Sequence, residues 1–72
     1  MGSKYPLLPP REIIKALGQA GFEKVSQRGS HVKLQNQHRI CIVPMHDEVA
    51  RGTLKAILEQ ADMDLESFME LL

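Results

Sequence analysis

Six consecutive residues, Arg28-Gly29-Ser30-His31-Val32-Lys33, hold most of the chemistry this sequence can offer. Imidazole is the side chain that titrates near neutral pH, so His31 suits either step of a proton transfer. Arg28 and Lys33 are fixed cations matched to a phosphate, the first as a planar fork and the second as a point charge. Gly29 has no side chain, which lets an anion approach main-chain N–H groups, and the Ser30 hydroxyl can donate a further bond. Arg39 is a further expected phosphate contact. Cooperation between these groups depends on strand parity. If Val32 and Leu34 enter the core, His31 and Lys33 must share the opposite, solvated face. An arbitrary histidine on an exposed strand is usually plain polar surface, so the assignment needs support from the fold as well.

The other groups of this type are weaker. His46 lies after the third expected strand, where it can supply a second proton step or serve as an ordinary loop residue. His38 falls at an expected hairpin tip. The set His38, Cys41 and His46 is close in sequence but matches no zinc spacing, and Cys41 lies in an apolar run where a buried thiol is commonplace. Asp47 and Glu48 are adjacent and diverge if extended, and Asp64 and Glu66 suit helix capping. No metal and no cofactor are expected.

The elements that position these residues can be read from periodicity. Pro10 fits a first helical position, and Ile13, Ile14, Leu17 and Ala20 recur at helical spacing up to a capping Gly21. From Glu23 the period changes to two. A first strand is expected from Val25, a second over His31 to Gln35, a hairpin tip at Asn36-Gln37, and a third over His38 to Val43, closed by Pro44. The third is apolar on both faces over Ile40 to Val43, as for a central strand or one covered by a partner. A second helix is expected from about Ala50 to Ala61, with Leu54, Ile57, Leu58 and Ala61 as its core stripe. Asp64 then caps a short last helix, with Met63 and Phe68 as a hydrophobic staple. Hairpins make the sheet antiparallel, and the helices should pack on one of its faces.

Seventy-two residues make a single domain, 1–72. An apolar fraction of 43% and a charged fraction of 25% fit a globular chain and argue against disorder. No apolar run approaches the roughly 18 residues needed to span a bilayer, and the start from Met1 to Pro6 has no signal-like apolar stretch, so no membrane partner and a cytoplasmic location are expected. One cysteine precludes an internal disulfide. The net charge is zero but unevenly spread: seven cations face two anions up to His46, and two face seven from Asp47 onward. Such a split lets one surface attract polyanions.

Four strings, taken in order, identify a resemblance: Ile14-Lys15-Ala16-Leu17 with Gly21-Phe22, then Gln27-Arg28-Gly29-Ser30-His31, then Val43-Pro44-Met45-His46, then Gly52 through Ala61. The chain resembles the HicA-type toxins of toxin–antitoxin pairs over most of its length. The resemblance implies an α+β fold like that of a double-stranded-RNA-binding domain, cleavage of mRNA by one essential histidine, here His31, and neutralisation by a HicB-type antitoxin. Metal-free RNA cleavage needs a base for the ribose 2′-OH, an acid for the leaving oxygen and cations for the phosphate. His31 with Arg28, Gly29, Ser30, Lys33 and Arg39 supplies that set, with His46 as a possible auxiliary.

Two other functions use the same fold. A non-catalytic module would bind A-form RNA by shape and phosphate contacts, and an interaction subunit would only dock a partner on Ile40 to Val43. With no Trp, one Tyr and two Phe, the chain lacks a platform for stacking single-stranded bases.

Overall fold

A computed structural model describes residues 5–72; Lys4, one of the cations counted above, lies outside them. The elements are α1 (Pro10–Gln19), β1 (Glu23–Arg28), β2 (His31–Asn36), β3 (Arg39–Pro44), α2 (Arg51–Ala61) and α3 (Leu65–Glu70). This is the expected α+β order, and no helix among the described residues is long and apolar enough to cross a membrane.

Pro10 opens α1, where the first N–H groups have no helical partner to lose, and Ile13, Ala16 and Leu17 form its buried stripe. The helix closes in a Schellman motif: Phe22 N–H donates to the Leu17 carbonyl at 3.0 Å and Gly21 N–H to the Gly18 carbonyl at 3.1 Å. Gly21 sits at φ 105°, which an L side chain rarely adopts. A Cβ there would stand 3.0 Å from Asn36 Nδ2, whose amide donates to the Ala20 carbonyl at 3.3 Å. The end of α1 is thereby fastened to the end of β2.

The sheet runs β1-β2-β3, antiparallel throughout. Strand β2 is therefore the central one, so of the two places expected for the apolar third strand, central or covered by a partner, the first is corrected. Val32 and Leu34 of β2 and Cys41 and Val43 of β3 point into the core, beneath the helices. Ile40 and Ile42 point the other way and are exposed. Two boundaries also move. The first strand begins at Glu23 rather than Val25, and Val25 falls at a register break between Lys24 and Ser26, exposed as a bulge residue. Asn36 pairs with Arg39, so the second hairpin turns at Gln37-His38, one residue later than expected, with Gln37 at φ 57° in place of a glycine.

Leu54, Ile57, Leu58 and Ala61 of α2 seal the core, and Asp64 caps α3 by accepting a 2.8 Å bond from Ser67 N–H, which holds its carboxyl below the usual carboxylate range. Phe68 is fully buried beneath that short helix. Val49 joins the core through an N–H bond to the Leu8 carbonyl at 2.8 Å, so the link after β3 is tied to the segment before α1. All six residues of β1 are exposed, whereas β2 buries Val32 and Leu34 and β3 buries Cys41 and Val43.

Two outcomes follow from these placements. Gly18 lies in α1 with open space around it, so Gly18→Ala should raise stability by about 0.5–1 kcal/mol, whereas Gly21→Ala should lower it by about 1–2 kcal/mol. Urea titrations of both variants check this. Burial pushes the Cys41 thiol up to about 11, so the folded chain keeps a proton that the unfolded chain releases at lower pH. Stability should therefore fall as pH rises from the ordinary thiol range toward about 11, and Cys41 should resist iodoacetamide until denaturant is added. A Cys41→Ala variant with the same alkaline loss of stability would contradict the first of these.

Candidate active site

The site begins at the tight turn between β1 and β2. Arg28 pairs with His31 across a two-residue loop, Gly29-Ser30, and Gly29 takes φ 58°, the first-position geometry of a type II′ hairpin. Gln27 Nε2 donates to the Gly29 carbonyl at 3.1 Å and steadies the turn. A Cβ on Gly29 would meet nothing within 4 Å, so the main chain there is open to an approaching ligand.

Register then sorts the side chains. Lys33 pairs with Ser26 on one side and Ile42 on the other, while Val32 and Leu34 are buried, so Arg28, Ser26, His31, Lys33 and Ile42 emerge on the face away from the helices. These five residues line a groove of about 490 Å³. Neither Arg28 nor Lys33 is held in an ion pair among the described residues, which leaves both charges available to an anion.

The link after β3 is fastened beside the turn that carries His31. Pro44 pairs with His31 at the end of the ladder, and Met45 N–H continues it by donating to the Ser30 carbonyl. His46 is thereby held beside His31, with ring centroids 6.4 Å apart and planes at 84°. His46 also lines a second groove of about 280 Å³, with Pro9, Pro10, Arg11, Met45 and Asp47.

Arg39 is the expected contact that geometry separates from this cluster. It pairs with Asn36 at the opposite end of the sheet, five residues along β2 from His31 and so roughly 17 Å away, and its guanidinium binds Asp62 at 2.9 Å. His38 lies at that same far end. Cys41 is in the core, with no route by which its thiol could meet His38 and His46 on a metal.

Ser26 and Ile42 escaped sequence reasoning because cross-strand register cannot be read from one strand. His46 is expected from the sequence only as an auxiliary or an ordinary loop residue, because its nearness to His31 is decided by a single backbone bond to Ser30. What remains is a solvated imidazole beside two unpaired cations, an exposed hydroxyl and an open turn: groups that can bind a phosphodiester and move its protons.

A family model described as the HicA toxin of bacterial toxin–antitoxin systems matches residues 10–63, from the first residue of α1 to just beyond α2. The match includes every residue of both grooves except Pro9. No curated protein matches the chain. With three-quarters of its length under that match, the chain belongs to the HicA toxin family of bacterial toxin–antitoxin systems.

Proposed function

We propose that this chain is the RNA-cleaving member of its toxin–antitoxin pair, acting on mRNA in the cytoplasm, and that His31 carries out the proton transfer without a metal. The observation that supports this best is the common solvent face of Arg28, His31 and Lys33 around one groove. HicA toxins are generally ribonucleases, and the residues here match what metal-free RNA cleavage requires.

The reaction is a transesterification. His31 takes the proton of a ribose 2′-OH, the freed oxygen attacks the adjacent phosphorus, and the bond to the 5′ oxygen breaks. Arg28 and Lys33 offset the charge that grows on the phosphate, and the Gly29 main chain with the Ser30 hydroxyl adds hydrogen bonds to its oxygens. Arg39 has no part in this step; its charge is spent on Asp62. A HicB-type antitoxin would neutralise the site by laying acidic groups on these cations and covering exposed Ile40 and Ile42.

His31→Ala should cut RNA about 10²–10⁴-fold more slowly with unchanged thermal stability, because its side chain lies outside the core. An oligonucleotide with 2′-deoxyribose at the mapped cut site should resist cleavage entirely; if it is cut at the normal rate, the 2′-OH is not the nucleophile. Lys33→Ala should weaken binding to uncleavable RNA and flatten its dependence on log salt by about 0.7, one phosphate contact on a single strand. Cleavage should also vanish when purified antitoxin is added, and full activity in the complex would contradict the shielding described above.

A further inference from the structure

A second imidazole stands where it can share the proton traffic. The rings of His31 and His46 are 6.4 Å apart and nearly perpendicular, both side chains are exposed, and neither takes part in a hydrogen bond or ion pair among the described residues. The placement of His46 comes from backbone, because Met45 N–H bound to the Ser30 carbonyl fixes residues 45 and 46 against the turn that carries His31. His31 lines the first groove and His46 the second, so the pair stands between them.

An in-line displacement at phosphorus needs two proton transfers on opposite sides of the reacting atom, one from the attacking hydroxyl and one to the departing oxygen. One imidazole cannot occupy both sides at once. Building on the ribonuclease reading above, we propose that His46 is the second proton-transfer group, giving its proton to the departing 5′ oxygen while His31 takes the proton of the 2′-OH.

In this step the O2′–P bond forms as the P–O5′ bond breaks. One proton passes from O2′ to His31 and another from His46 to O5′. The products are a 2′,3′-cyclic phosphate and a 5′-hydroxyl; His31 ends protonated and His46 neutral, and exchange with water resets both. The assignment of roles follows the two grooves. Arg28 and Lys33 hold the scissile phosphate in the first, and the departing strand runs past His46 into the second, where Arg11 meets its next phosphate. The charged groups around the pair are Arg28 from β1 and Lys33 from β2 on the His31 side, and Arg11 from α1 and Asp47 from the link on the His46 side.

The test compares two RNA oligonucleotides, one ordinary and one with sulfur in place of the bridging 5′ oxygen at the cut site. A thiolate departs without being protonated, so only loss of the acid is rescued by sulfur. His46→Ala should cut ordinary RNA about 10²–10⁴-fold more slowly than wild type and the sulfur substrate within about tenfold of it, while His31→Ala stays impaired on both. His46→Gln should behave as His46→Ala does, with melting temperatures equal to wild type for both variants. A wild-type rate on ordinary RNA, or equal loss on the two substrates, overturns the role of His46 and leaves that of His31 standing. Absence of cleavage by the wild-type chain removes both.

Discussion

Strand parity in β2 is the constraint from which the rest follows. Val32 and Leu34 are locked beneath the helices, with Leu17, Leu54 and Leu58 in the same core, and a slip of one residue would expose both and bury a charged Lys33. Because that slip is so unfavourable, the direction of His31 is set by the packing of its neighbours. The core thus orients the site without touching it.

The two ends of the sheet have different work. At the 28–31 end, a tight turn, the last rung of the ladder at Pro44 and the Met45–Ser30 bond bring three segments together with their cations unpaired. At the 36–39 end, Asn36 ties down the exit of α1 and Arg39 is neutralised by Asp62 from the end of α2. The charge asymmetry of the sequence becomes spatial in this way: of the acidic residues of the second half, Glu59, Asp62, Asp64, Glu66 and Glu70 ride on α2, α3 and the turn between them, away from the open face of the sheet, while Asp47 and Glu48 sit in the link after β3, with Asp47 lining the groove of His46. Glu23 is the exception, since it lies on β1 opposite Gln35 on that open face, though at the end remote from His31. The outer edge of β3 is closed as well, by Gln60 Oε1 accepting from Ile42 N–H and by Pro44, which has no N–H to offer.

Much of this was legible in the sequence, because local signals agree with the global fold. Pro10, Gly21 and Asp64 mark helix ends by their intrinsic chemistry, and alternation in His31 to Gln35 identifies the buried and solvated faces of β2. The errors lie where local pattern is weak. Val25 looks like a strand residue with a face to bury, yet β1 buries no side chain, and Val25 falls at a bulge. Asn36-Gln37 lies between two alternating runs and so reads as the hairpin tip, but Asn36 pairs with Arg39 and donates to the Ala20 carbonyl, and the tip falls at Gln37-His38. Parity places His31 and Lys33 on one solvated face as expected, while Arg39, expected with them, pairs with Asn36 at the far end, because strand alternation does not say which end of the sheet a residue occupies.

The central claim is that one end of the open sheet face, around His31, receives RNA. Nuclear magnetic resonance titration with an uncleavable 2′-O-methyl RNA oligonucleotide tests it most directly. Backbone amides of residues 28–33 and 45–46 and the ring signals of His31 and His46 should shift together and saturate at one concentration, with little change at 36–39 or in α3. Shifts concentrated at the 36–39 turn or along the helices, with the ring of His31 unmoved, would contradict it.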